Sequence, residues 1–249
     1  MSVLAHSSFC DPEWRVRQDL ASAYHLAASF GWTDLIYTHI SARIPGQKDC
    51  FLINPFGLHF HEVTPENLVK VSLDGKILNR TPYEVNPAGI IIHGALHTAR
   101  EDITAVVHLH TVTGMAISAL DQGLLPISQH ACHFYGKISF HDYQGIAVNP
   151  EEQESLIADL GSNNIMILRN HGFLTVGSSL AEAFTTMYTL EKAATVQIAA
   201  LSMGQSLSIP SHEVCQKVVQ ETGKHNIKNA FMEWEALKRL LPKKTLRKA

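Results

Sequence analysis

"NPAGIIIHGALHTAREDITAVVHLHT", residues 86–111, changes its periodicity halfway along, and that change decides the fold. Asn86 suits an N-cap and Pro87 the next position, and apolar residues at 88, 91, 92, 95 and 99 then recur at helical spacing. From Ile103 the chain becomes a β-branched run, "ITAVVHLH", of the kind that forms a strand. A helix handed directly to a strand belongs in a layered α/β domain.

Working outward, "DPEWRVRQDLASAYHLAASFGW" predicts a helix from Asp11, its N-cap, to Gly31, with Val16, Leu20, Ala23 and Ala27 on its inner stripe. "LIYTHISARIPG", "CFLINPFG" and "LVKVSLDGKIL" predict antiparallel strands, the last with an Asp74-Gly75 hairpin signal. C-terminal to the opening stretch, "TVTGMAISAL" predicts a short helix. Residues Asp121 to Pro150 read as loop and carry His130, His133, Tyr135, His141 and Tyr143. "PEEQESLIADLG" predicts a helix closed by Gly161, and "NIMILRNHGFLTVG" two strands joined through an Asn170-His171-Gly172 turn. Ser179 and Glu182 have capping-box spacing at the head of a long apolar helix. A polar linker then leads to "NAFMEWEALKRLL", a surface helix or subunit contact. No repeat or linker divides the chain, so one domain over 1–249 is expected, with 204–249 as a C-terminal extension.

The 249 residues are 45% hydrophobic and 17% charged, which is ordinary globular composition. A net charge of -3 gives no field that would favour nucleic acid or an anionic membrane surface. The basic tail "KRLLPKKTLRKA" reads as a solvated end. Cys10, Cys50, Cys132 and Cys215 form no CxxC pair and predict reduced thiols. The start "MSVLAHSSFC" lacks signal-peptide features, and no window approaches the ~18 apolar residues of a membrane span. The expected location is the cytoplasm.

The chain holds 15 histidines. His108 and His110 are one residue apart at the end of a strand, where i and i+2 side chains share a face and suit one metal ion. Catalytic zinc takes three protein ligands and keeps a fourth position open, so a third must come from elsewhere. His171, on a tight turn beside a glycine, is the best candidate. Two other pairs compete: His59 and His61 repeat the HxH spacing, and His93 and His97 lie at i and i+4 on the second helix, where hydrogen bonding is the simpler role.

From about residue 13 to 203 the sequence resembles the class II aldolase and adducin head-domain family. The resemblance is carried by "THISARIPG", "FLINPFGL", the opening stretch, "LPIS", "FHDYQGIAV" and "ILRNHGFLTVG", in family order and spacing. It implies a three-layer α/β/α fold around a mainly antiparallel sheet, a homotetramer, and zinc or another divalent ion held by His108, His110 and His171.

The resemblance also implies a mechanism that this chain departs from. Family aldolases move a proton with a glutamate in a Ser-Ser-Glu element, which here reads Pro87-Ala88-Gly89. Sugar-phosphate members bind phosphate through an asparagine, a Thr/Ser-Gly pair and those two serines; here His39, Phe56 with Gly57, and Pro87 with Ala88 stand there. His130 matches a tyrosine that some members supply from a neighbouring subunit, and Cys132 lies near the catalytic aspartate of related epimerases. No tyrosine follows Tyr188 to act as the family's tail donor. The expected function is a metal-dependent lyase acting on a small, non-phosphorylated carbonyl or hydroxy-acid compound, with His130 or Tyr143 moving the proton. The alternatives are a non-catalytic adducin-like scaffold and a ligand-binding protein that keeps the metal site.

Overall fold

A computed structural model describes residues 11–146, 151–223 and 226–242 of the chain. The first helix is α1 (Pro12–Ser29); Asp11 accepts from Glu13 N at its start, and Gly31 turns the chain beyond it at φ +73°. Leu20, Ala23 and Ala27 are buried as their spacing requires. Strands β1 (His39–Ile44), β2 (Gln47–Ile53) and β3 (Val69–Ser72) pair antiparallel. The Asp74-Gly75 turn forms, but its return limb makes only an isolated bridge between Val71 and Ile77.

The decisive stretch folds as read, with one refinement. Its helix runs as α2 (Pro87–Gly89), a π-helical turn (Ile90–Gly94) and α3 (Ala95–Ala99). Such widened turns recur at functional sites, and this one carries His93. β4 (Ala105–Leu109) is buried throughout and leads to α4 (Val112–Ser118), capped by Thr111.

The stretch after Asp121 is less loop-like than its composition suggests. It contains α5 (Gln129–Cys132) and β5 (Ile138–His141). The strand escapes a hydrophobic pattern because its two buried positions, Ser139 and His141, are polar; they bond instead to the Leu160 carbonyl and to Asp159. Next come α6 (Glu152–Leu160), β6 (Ile165–Leu168), β7 (Gly172–Gly177) and α7 (Leu180–Ser202). Ser179 caps α7 by accepting from Glu182 N, while the Glu182 carboxylate accepts from Ser178 N rather than closing the box on Ser179. The polar linker holds another helix, α8 (His212–Gly223), before α9 (Asn226–Lys238), whose Trp234 packs on Phe184 of α7. The sequence start and the end of the basic tail, residues 1–10 and 243–249, lie outside the described residues.

The strands form one sheet in the order β3-β2-β1-β4-β7-β6-β5, antiparallel except for the β5–β6 pair, whose crossover is α6. On one face Leu26 and Phe184, from α1 and α7, pack against Ile40, Leu52 and Val107. On the other, Leu96 and Leu160, from α3 and α6, cover Val106, Met166 and Leu174. The result is the three-layer α/β/α architecture around a mainly antiparallel sheet that the resemblance implies. Among the described residues no helix is long and apolar enough to cross a membrane.

Tyr24 fastens α1 to the sheet. Its buried hydroxyl accepts from the backbone N–H of Ile40 at 2.7 Å and of Asn54 at 3.2 Å. Tyr24→Phe strands both donors away from water, so a loss of about 1–3 kcal/mol is expected in denaturant unfolding. A loss below a few tenths would show that these donors find other partners.

Candidate metal centre

β4 lies in the middle of the sheet, so a polar side chain on it must be satisfied from within the protein. His108 meets that condition: Nδ1 lies 3.0 Å from the Phe173 carbonyl of β7. A carbonyl only accepts, so Nδ1 carries the proton and Nε2 keeps a free lone pair.

His110 stands one residue beyond the end of β4, not within it. Its Nδ1 is 3.0 Å from the carboxylate of Asp34, which again leaves Nε2 bare. Asp34 is supplied by a strained turn. Leu35 and Thr38, neither of them glycine, adopt φ +48° and +67°, and the buried Thr38 hydroxyl has no partner. His171 arrives from the turn between β6 and β7, where Asn170 takes φ +55°, a conformation asparagine tolerates. Gly172 allows that turn to close on β4, since a Cβ there would lie 2.5 Å from the Leu109 carbonyl oxygen.

The three rings therefore converge. Centroid separations are 4.8 Å for His108–His110, 4.8 Å for His108–His171 and 4.6 Å for His110–His171. The Nε2 atoms of His108 and His110 are 3.1 Å apart. With both Nδ1 atoms turned to acceptors, neutral rings face each other through two Nε2 lone pairs, an arrangement that a cation between them satisfies. Two nitrogens on one tetrahedral zinc would be separated by about 3.3 Å, so the donor set fits such an ion. Among the described residues this is the one group of three or more histidine, cysteine or acidic side chains positioned to hold a metal ion. Burial and the neighbouring rings push His108 well below its usual value and His171 down to about 4, so both are neutral, lone-pair donors at pH 7.

A second file of histidines runs inward from the triad. His39 lies opposite His108 in the β1–β4 register, with ring centroids 5.2 Å apart. Its Nδ1 is 2.8 Å from His93 Nε2; His93 Nδ1 is 2.6 Å from Ser41 Oγ; Ser41 Oγ is 2.9 Å from His97 Nε2; and His97 Nδ1 is 3.2 Å from the Ile103 carbonyl. His93 and His97 thus have the hydrogen-bonding role expected of them.

The other marked residues are placed differently. Tyr143 is exposed, with its ring 6.4 Å from that of His171. His130 is exposed on α5, where its ring neighbour is His133. His59 and His61 stack on each other outside the triad. Cys132 is buried beside Cys215, its thiol pushed up to about 11, and contributes nothing to the triad. Two cavities, of about 420 Å³ beside Arg43 and Lys48 and about 1060 Å³ between α5, α7, α8 and α9, do not include the triad. Asp34 and Ser41 were not singled out in the sequence. An acidic residue in a turn and a serine in a strand carry no local mark of such roles.

Residues 18–198 match the family model described as Class II Aldolase and Adducin N-terminal domain. The chain is similar to a solved aldolase II superfamily protein from Pseudomonas syringae, at 48% identity and TM-score 0.91 over 94% of this chain and 95% of that one. It is also similar to an L-fuculose 1-phosphate aldolase from Glaciozyma antarctica PI12, at 26% identity and TM-score 0.84 over 100% and 97% of the two chains. Alpha-adducin of Rattus norvegicus is 45% identical over 190 residues, which are 75% of this chain and 26% of the adducin.

The depressed histidines fix the sign of a pH effect on the metal-free protein. In the unfolded chain they take up protons near pH 6.5. In the folded protein burial delays this to about 4 for His171 and about 3 for His39 and His97. Their contribution to stability is full above about pH 6.5 and falls as pH drops from there toward 4. A urea midpoint unchanged between pH 7 and pH 4.5 would contradict this.

Proposed function

The chain belongs to the class II aldolase and adducin N-terminal domain family, and we propose that it is a metal-dependent lyase of the aldolase type. The carrying observation is the facing pair of bare Nε2 atoms on His108 and His110, joined by His171. These three side chains are the proposed ligands, and zinc is the ion their all-imidazole set favours. When bound, a divalent ion supplies Lewis-acid polarisation of a carbonyl oxygen.

The substrate we propose is a small, non-phosphorylated carbonyl or hydroxy-acid compound. Sugar-phosphate aldolases of the family need neutral hydrogen-bond donors around the phosphate, and here Phe56, Pro87 and Ala88 replace them with an apolar wall. Tyr143, at the rim beside His171, is the proposed proton carrier. His130, exposed on α5, is assigned the same task toward a neighbouring protomer's cleft. The proposed assembly is a homotetramer, and exposed apolar side chains that association would cover, Leu35, Val112 and Ile146 at 66%, 80% and 77% exposed in the single chain, support it. The cytoplasm is the proposed location.

The alternative is an adducin-like scaffold that keeps the ion without turnover. Gly89, which cannot take a proton, is the observation that favours it.

Protein purified without a tag is expected to carry about one zinc or related divalent ion per chain, measured by elemental analysis. His110→Ala should empty the site while the oligomer persists on size-exclusion chromatography. Asp34→Ala should weaken the metal by about 10- to 100-fold, through loss of ring orientation. Retro-aldol and decarboxylase assays across short hydroxy and keto acids should reveal one metal-dependent turnover. Stoichiometric metal with no turnover on any of them would favour the scaffold.

A further inference from the structure

The inward file of histidines has a direction, and that direction sets what the mouth of the site can bind. It begins at a group that can only accept, the Ile103 carbonyl, so His97 Nδ1 must hold a proton. All three rings are fully or almost fully buried and therefore neutral, with one proton each. His97 Nε2 is then an acceptor and takes the Ser41 hydroxyl proton. The Ser41 oxygen in turn accepts from His93 Nδ1, leaving His93 Nε2 to accept from His39 Nδ1. Four hydrogen bonds pointing the same way thus leave His39 Nε2 without a proton. Among the described residues that atom has no hydrogen-bond partner, and its ring lies against His108.

We propose that His39 is the specificity-determining residue of this site. Its bare Nε2 accepts a hydrogen bond from a donor on the ligand, a hydroxyl or an N–H, and repels a phosphate or carboxylate oxygen placed there. This rests on the metal-dependent reading above for the existence of a ligand, and it deepens that reading by naming the group the ligand must present.

Gly89 completes the picture. A Cβ there would lie 3.1 Å from His39 Cδ2, 3.3 Å from Cγ and 3.0 Å from Ile53 Cδ1. A side chain at position 89 therefore starts in tight contact with the His39 ring, which would have to shift by a few tenths of an ångström to admit it. Where the resemblance places an asparagine donor and a glutamate, this chain has one imidazole acceptor and a glycine that makes room for it.

The test begins with histidine ¹⁵N NMR of the metal-free protein, which needs neither metal nor substrate. The Nδ1–H tautomer is expected at His39, and the Nε2–H tautomer there would overturn the proposal. Zinc-loaded protein is then titrated calorimetrically with acetohydroxamate, a chelator that keeps an N–H donor when its oxygens hold the metal, and with inorganic phosphate. Acetohydroxamate should bind and phosphate should not. His39→Phe should keep the zinc and lose about tenfold in hydroxamate affinity, the scale of one hydrogen bond. Equal affinity at equal zinc content, or phosphate binding tighter than hydroxamate, would overturn the proposal. Ser41→Ala, which leaves every ring in place, serves if His39→Phe does not fold; it should release His39 into a mixture of tautomers and weaken acetohydroxamate several-fold. An unchanged tautomer in Ser41→Ala counts against the chain as its cause. Zinc-free wild type would sink the metal-dependent reading alone, because the tautomer of His39 is measured independently.

Discussion

The hydrogen bond from His108 Nδ1 to the Phe173 carbonyl joins β4 to β7 in the middle of the sheet, and the site is arranged around it. An imidazole buried there must give its proton to something, and the adjacent strand is within reach. That one bond fixes the tautomer, the ring orientation and the direction of the remaining lone pair. Because β7 is held close to β4 through Gly172, the same pairing carries the β6–β7 turn, and His171 with it, to the place where the lone pair points. The outer ligand needs its own support, which comes from Asp34 on a turn held in an unfavourable backbone conformation. The ring at the centre is positioned by the sheet, the two at the edge by loops.

Much of this arrangement is legible in residues 86–111 and 164–177. Helical spacing, the β-branched run, the caps at Asp11, Asn86 and Ser179 and the apolar strands mark elements whose stability comes from local propensity and one buried face. Those are the features that sequence periodicity reports. β5 is hidden because its buried positions are polar and satisfied by partners 18 to 21 residues away. α8 is hidden because its short apolar stripe, Val214, Cys215, Val218 and Val219, is set among polar residues that read as linker, and Cys215 is its one fully buried side chain. The convergence of His108, His110 and His171 could be anticipated from spacing and motif. The roles of Asp34 and Ser41 could not, since each depends on a contact 76 or 56 residues away along the chain.

The family contains both aldolases and adducins, and this chain combines features associated with each. Its overall fold is shared with proteins named as aldolases, while its helix start reads Pro87-Ala88-Gly89, with no carboxylate. The change need not be a simple loss. With a glycine at 89, the β1 histidine lies close against the helix start, where any side chain would press on its ring. Positions 39 and 89 are in contact, so substitutions at the two are expected to be non-additive.

The far end of that file is a backbone carbonyl. A chain of imidazoles and hydroxyls that opened onto water at both ends could carry charge through the protein, each link passing its proton onward and being refilled from behind. Here the last oxygen belongs to a peptide group and has no proton to exchange, so nothing can be conducted. The file behaves as a compass needle set by the backbone, holding one polarity from β4's threshold to the cleft, and a ligand meets an orientation chosen some distance below it.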